Sequence, residues 1–235
     1  MKILITGSAD GLGQLAAKQL VKDGHDVVLH ARNSARGEQA LKYVPGAKEV
    51  LIADLSSVEQ IRALADKANA SGSFDAVIHN AGVYRSSAEQ LLHVNTLAPY
   101  VLTVLMHRPK RLIYLSSGMH LSGHAQWTDR PSYSDTKLHV LMLAKVLARK
   151  WPEVYANAVD PGWVATKMGG AGAPDDLDKG YQTQVWLAVS DDSNAKVSGQ
   201  YFYHQKTARY NPTADDQKWQ DQLILNCARL TGVSI

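Results

Sequence analysis

The sequence predicts an α/β fold: one doubly wound domain over residues 1–235, with about seven parallel strands and helices on both faces. Short apolar runs alternate with amphipathic stretches along most of the 235 residues. The runs are continuously apolar, as strands covered on both faces require. The first, Ile3-Leu4-Ile5, leads at once into a glycine-rich turn and then a helical pattern. Strands alternating with helices imply right-handed crossovers and a parallel sheet.

The predicted strands, in order, are 3–6, 26–30, 49–53, 76–79, 111–115, 155–159 and 200–203. Helical periodicity fills the intervals. Leu12, Leu15, Ala16 and Leu20 mark a helix over 12–22, and a second spans 58–70 with Ser57 and Gln60 spaced as a capping box. Further helices are expected over 91–105 and from Tyr133 to about Lys150. Residues 168–174 are rich in Gly and Ala and read as a mobile loop. No repeat, low-complexity tract or Pro/Gly-rich linker divides the chain.

Composition sets outer bounds. A formal net charge of +3 gives no reason to expect nucleic acid or a membrane surface. No apolar run is long enough to span a bilayer. The first strand starts at Ile3, which leaves no space for a signal peptide, so a soluble cytoplasmic protein is expected. The single cysteine, Cys227, excludes an internal disulfide and a cysteine-based zinc site, and it sits among leucines as a packed thiol. His120 and His124 have no helix to align them and no further ligands, so no metal is expected.

The chemistry-bearing residues fall at strand ends, where open α/β sheets bind ligands. Gly7, Ser8, Asp10, Gly11, Leu12 and Gly13 form the first turn. Gly7 suits a tight turn, Gly11 lets backbone approach a pyrophosphate, and Gly13 lets the helix pack closely on the strand. The spacing G-x-x-x-G-x-G departs from the common G-x-G-x-x-G, and a tight βα turn without a ligand is the plain alternative. Asp54 with Leu55 closes the third strand, Asn80-Ala81-Gly82 the fourth, Ser116-Ser117 the fifth and Asp160-Pro161-Gly162 the sixth. Each alone is ordinary turn chemistry; their placement at one edge is the signal. Tyr133 and Lys137 lie four apart at a helix start, on one face. An ammonium beside the phenol would lower its pKa from about 10 and make it a proton donor and acceptor near neutral pH.

Taken together, Thr6-Gly7-x-x-x-Gly11-x-Gly13, Asn80-Ala81-Gly82, Asn95, Ser117, Tyr133-x-x-x-Lys137 and Pro161-Gly162 resemble the short-chain dehydrogenase/reductase family, which implies a Rossmann domain. The likeness is greatest to its carbonyl-reductase and retinol-dehydrogenase-like branch, and the tail resembles bacterial anthracycline-type ketoreductases. The resemblance implies that Tyr133 exchanges a proton with the substrate oxygen and that Lys137 binds the nicotinamide ribose. Ser117 would hold the carbonyl oxygen, with Ser122 as a substitute. Asn95 would hold a water that links Lys137 to solvent; without the resemblance it reads as a capping or kink residue. Val164 and Thr166 would line the nicotinamide side, Thr166 bonding the carboxamide. The family's Asn-Asn-Ala-Gly is here His79-Asn80-Ala81-Gly82, and His79 is read as a core residue. In relatives the helices 91–105 and 138–148 pair across a two-fold axis. Their surplus apolar residues therefore favour a homodimer, unless the C-terminal segment 219–230 covers them.

The second strand ends without the acidic residue that would bind a ribose 2′-hydroxyl. Arg32, Asn33 and Arg36 follow instead, and arginine suits a 2′-phosphate, so NADP(H) is expected over NAD(H) although Asp10 opposes it. The expected reaction interconverts a carbonyl and an alcohol, most simply a ketone or aldehyde reduction. A non-catalytic dinucleotide-binding regulator and an epimerase or dehydratase are the alternatives. The substrate is expected to be small and hydrophobic, walled by Trp163, Met168 and Tyr84, with no arginine cluster to signal an anion and with 168–174 acting as a lid.

Overall fold

The computed structural model describes residues 1–235. The apolar runs become strands β1 (Lys2–Ile5), β2 (Asp26–Ala31), β3 (Glu49–Ile52), β4 (Ala76–His79), β5 (Arg111–Leu115), β6 (Tyr155–Asp160) and β7 (Tyr201–Tyr203). All seven are parallel, in the order β3-β2-β1-β4-β5-β6-β7. The sheet has one strand more than expected. Lys206–Thr207 forms β8, which pairs antiparallel with β7 at the edge. The turn between them places His204 and Gln205 at positive φ, 49° and 62°, and so folds the chain straight back.

The chain runs outward from β1 to β3 and then returns to place β4 on the other side of β1. At that reversal the loops after β1 and β4 leave in opposite directions, and a crevice opens beyond the strand ends. One face is covered by α1 (Gly11–Lys22), α2 (Ser34–Tyr43) and α7 (Leu177–Val189) around Ile3, Ile5, Leu20 and Phe202. The other carries α3 (Val58–Ala70), α5 (Ala98–Leu105) and α6 (Tyr133–Lys150) over Leu4, Val77, Leu112 and Tyr114.

Two local devices matter for the site. The helix expected over 91–105 is a short α4 (Ala88–Leu92), a π turn over His93–Leu97, and then α5. The extra residue of a π turn displaces the side chains around it and often marks a functional position; Asn95 lies at its centre. At α6, Ser132 and Asp135 form a complete capping box, which fixes the helix start at Tyr133. At α3 the expected box is only half made: Ser57 accepts from the Gln60 N–H, but the Gln60 amide oxygen accepts from Asp54 N–H instead.

The apolar surplus of α6 is consumed inside the chain. Leu138, Leu141, Met142, Val146 and Leu147 are fully buried. Helix α8 (Gln217–Thr231) packs on α6 through Leu223 and Cys227, and the Tyr100 hydroxyl ties α5 to the Val233 carbonyl at 2.7 Å. The surface that motivated a homodimer is therefore occupied by the chain's own C-terminus, and that motive is withdrawn.

Candidate active site

Two adjoining cavities open at the carboxyl edge of the sheet, with volumes of about 500 and 810 Å³. Tyr133, Ser116, Leu12, Pro161, Thr166, Lys167 and Met168 line both. The smaller cavity follows the β1 and β4 turns; the larger lies over the ends of β5 to β7.

The three glycines of the first turn differ in what surrounds them. Gly7 has φ +64°, and a Cβ there would meet Ala81 Cα at 2.8 Å; at Gly13 it would meet the Asn80 amide nitrogen at 2.4 Å. Both are demanded by packing. Gly11 has φ +55° and no neighbour closer than 3.9 Å, so its backbone faces open space. Asp10 precedes α1 as its N-cap yet makes no cap hydrogen bond. The first-turn N–H groups of α1 thus keep their unpaired character toward the cavity, which fits a pyrophosphate.

Asp10 spends its carboxylate elsewhere, on Arg36 at 2.5 Å and Lys167 at 3.3 Å. Burial pushes its pKa up, but the two cations outweigh it and hold the carboxyl below its ordinary value. Arg32 lines the same cavity and makes no ion pair, its charge reaching Asp54 at longer range. Asp54 is fixed by Ser56, whose N–H and hydroxyl donate to Oδ1 at 3.0 and 2.8 Å. Leu55, Asn80, Ala81 and Gly82 line the cavity as expected.

Several expected binding residues face away from it. Ser8 is wholly buried; its hydroxyl donates to the Ile5 carbonyl and accepts from His30 N–H, both at 2.9 Å, so it joins β1 to β2. Asn33 caps α2 by accepting from Arg36 N–H. Gly13 is a packing residue. Gly162 and Val164 belong to the larger cavity, and Val164 packs where a Cβ on Gly180 would reach it at 2.9 Å.

His30 went unassigned in the sequence reading. Its Nδ1 accepts from Gly7 N–H at 3.0 Å, and its Nε2 donates to the Ala53 carbonyl at 3.1 Å. Burial lowers its pKa to about 4, so the ring is neutral and props the glycine turn from below. Only its place two residues before Arg32 at a strand end hinted at this. His79 is a core residue: it stacks on Tyr114 and its Nε2 pairs with Thr103 Oγ1 at 3.1 Å.

Tyr133 lies at the junction of the cavities; Ser117 lines the larger one, its hydroxyl accepting from Met119 N–H at 3.3 Å. Ser116 points away and donates to the Lys137 carbonyl at 2.7 Å. Ser122 is likewise turned aside, toward the Met119 carbonyl and Ser134. The Lys137 ammonium is buried 5.4 Å from the Tyr133 ring centroid and donates to the Leu115 carbonyl at 2.8 Å. Burial is the largest influence on both groups. It raises the phenol to about 12, with the nearby Ser117 hydroxyl opposing and the Asp160 charge adding to it. It lowers the ammonium to about 8, against the pull of Asp160. The expected depression of the phenol by the lysine is thus reversed here, because desolvation of the phenolate exceeds every stabilising contact.

Asn95 is a brace. Its Oδ1 accepts from Val83 N–H at 2.8 Å, and its Nδ2 donates to the Val83 carbonyl and Thr136 Oγ1 at 3.0 and 3.1 Å. With both amide hydrogens spent, the side chain joins the loop after β4 to α6. A Cβ on Gly82 would sit 3.3 Å from Lys137 Nζ and 3.4 Å from Asn95 Oδ1, so glycine lets these elements close up.

The segment after β6 is more ordered than its composition suggests. Trp163 N–H donates to Asp175 Oδ2 at 2.6 Å, and the indole donates to the Gly169 carbonyl at 2.8 Å. Gly169 N–H reaches Thr166 Oγ1 at 3.1 Å. Residues 163–170 therefore form a pinned turn, with Trp163 60% and Met168 48% exposed at the cavity mouth.

Comparison with known proteins agrees with this architecture. The model of the short chain dehydrogenase family matches residues 1–176. The chain belongs to the short-chain dehydrogenase/reductase family. It is 43% identical to an uncharacterised oxidoreductase of Emericella nidulans, over 100% of this chain and 98% of that one. Human retinol dehydrogenase 13 is 28% identical, covering 98% of this chain and 84% of its own, which agrees with the retinol-dehydrogenase-like branch. An uncharacterised protein of Mycobacterium paratuberculosis shares the fold with a TM-score of 0.81 at 24% identity, over 99% of this chain and 94% of that one. The protein is accordingly an NAD(P)-dependent dehydrogenase/reductase acting on CH–OH groups. No helix is long and apolar enough to cross a membrane, and no cluster of His, Cys, Asp or Glu has the makings of a metal site.

Proposed function

We propose that the protein reduces a ketone or aldehyde with NADPH, Tyr133 giving up the proton. The observation that carries this is the phenol itself, set where the two cavities meet, with Ser117 on the wall of the larger one and the Lys137 ammonium 5.4 Å from the ring. Burial raises the phenol to about 12, so it is protonated at neutral pH and able to act as the proton donor of a reduction. The dinucleotide would supply hydride to the carbonyl carbon. The Ser117 hydroxyl would hold the carbonyl oxygen as negative charge builds there. Tyr133 O–H would then pass its proton to that oxygen, and the Lys137 ammonium, charged at neutral pH, would stabilise the phenolate left behind.

The smaller cavity suits the adenosine and pyrophosphate portions, with the open backbone at Gly11 and the α1 N-terminus toward the phosphates. Preference for NADPH rests on Arg32. It is the cation at the end of β2 that makes no ion pair, whereas Arg36 is already engaged by Asp10. That pairing also removes the objection Asp10 raised, since its charge is offset by Arg36 and Lys167. The rim carries Trp163, Met168 and Tyr84, which suits an apolar substrate body. Because α8 covers α6 and α5 packs against α3, copies of the chain are not expected to pair through those helices. Purified protein mixed with NADPH and a panel of ketones and aldehydes tests the reading: carbonyl-dependent loss of the reduced-nicotinamide absorbance is expected. No turnover across the panel, with dinucleotide binding intact, would leave a binding protein in its place.

A further inference from the structure

Two arginines 124 positions apart in sequence both line the larger cavity, and neither lines the smaller one. We infer that the carbonyl substrate carries a carboxylate, taken at the cavity mouth by Arg85 and Arg209; this rests on the reductase reading above. Neither arginine has a carboxylate partner within the chain, while Arg36, Arg108, Arg149 and Arg229 all do. Both residues are exposed, and a guanidinium is a permanent cation with a planar fork that matches a carboxylate.

Their settings are built. Arg85 holds φ at +51°, a left-handed conformation a long side chain rarely adopts. Its guanidinium lies 5.5 Å from the Tyr84 ring centroid, and Tyr84 stands edge-on to Tyr133 at 4.7 Å and 65°. The arginine is thereby registered against the reacting phenol through one aromatic ring. Arg209 follows β8, so the edge hairpin with its two left-handed turn residues delivers it to the same cavity.

The cavity is electrostatically polar. At its inner end lies Asp160, whose Oδ1 accepts from Gly162 N–H at 2.9 Å and whose Oδ2 accepts from the Tyr201 hydroxyl at 3.1 Å. Asp175, also on the wall, is engaged by Trp163 N–H. At the Tyr133 end the Lys137 ammonium is offset by Asp160, and Lys167 on the wall is spent on Asp10, so the unpaired cations open to a substrate anion are the two arginines, which turns its neutral carbonyl inward. The apolar part of the wall is Tyr84, Met119, Leu121, Trp163 and Met168. The class of compound this fits is a carbonyl on an apolar or aromatic body with a terminal carboxylate.

The test uses ω-aroyl carboxylates with a ladder of methylene spacers, each beside its methyl ester, and compares kcat/KM for acid and ester within each enzyme. In the wild type the best acid should exceed its ester by roughly tenfold, the scale of a charge-assisted contact. That ratio should fall in Arg209→Gln and approach one in Arg85→Gln/Arg209→Gln, whatever happens to absolute rates. An ester reduced as well as its acid by the wild type, or a double variant that keeps the wild-type ratio, overturns the inference. If no compound is reduced, the reductase reading fails separately. Calorimetry of the acids on protein saturated with NADP⁺ then decides: saturable binding weakened roughly tenfold in the double variant supports the carboxylate site, and absent or unchanged binding overturns it.

Discussion

Lys137 is held in the site at a cost to the fold, and its replacement by methionine should therefore stabilise the protein while abolishing turnover. Lowering an ammonium from 10.5 to about 8 by burial corresponds to about 3 kcal/mol at neutral pH, at about 1.4 kcal/mol per pH unit. Methionine removes that cost with a side chain of similar length, but it leaves the Leu115 carbonyl without its donor, which returns about 1 kcal/mol. The net gain is about 2 kcal/mol. For a chain of this size that raises Tm by about 4–8 °C. The sign with pH follows from the protons bound. Below pH 8 the lysine is charged in both states and the cost is complete. Between 8 and 10.5 the native state releases its proton while the unfolded state keeps it, so wild-type stability rises with pH. The advantage of Lys137→Met should then shrink and be almost gone by about pH 9.5. Thermal unfolding followed by circular dichroism at pH 7 and pH 9.5, wild type against variant, measures this. A variant less stable than wild type at pH 7, or an advantage that does not change with pH, would refute the reasoning.

Three further outcomes follow from the same geometry. Arg32→Ala should lower kcat/KM with NADPH by roughly tenfold, since it removes a charge-assisted phosphate contact, and leave kcat/KM with NADH nearly unchanged; equal losses with both would assign Arg32 another role. Gly169→Ala should destabilise the turn after β6, because its Cβ would lie 2.1 Å from the Val164 carbonyl, whereas Gly172→Ala meets nothing within 4 Å and should be silent in stability; equal melting temperatures for the two would contradict the pinned turn. Light scattering at micromolar concentration should give the mass of one chain, 25.7 kDa, and a dimer lost on mutation of α6 would restore pairing through that helix.

The sheet was legible because parallel strands buried on both faces leave continuous apolar runs, and their ends then located the chemistry. Individual roles at those ends were harder to read. Ser8 and Asn33 have the residue types that contact phosphate, but the same types also bridge strands and cap helices, and here they do. The Tyr133–Lys137 spacing placed both groups on one face, yet the direction of the phenol's shift depended on burial, which spacing does not encode. The apolar excess of α6 was visible and segment 219–230 was one of its two possible covers, but the choice between that segment and a second copy is a matter of topology. Arg85 and Arg209 carry no local signal at all, since only the fold brings the loop after β4 to the edge hairpin. Residues 168–174 looked loose by composition, and the indole of Trp163, distant in the pattern, is what holds the turn.

The most direct test of the central claim is Tyr133→Phe, which deletes the phenolic oxygen and keeps the ring against Tyr84. Turnover of an accepted carbonyl substrate and the Kd for NADPH are measured side by side. The account predicts a loss of at least about a hundredfold in kcat, the scale of positioned acid catalysis, with Kd changed little because Lys137 and the glycine turn remain. Near wild-type turnover by Tyr133→Phe would contradict it.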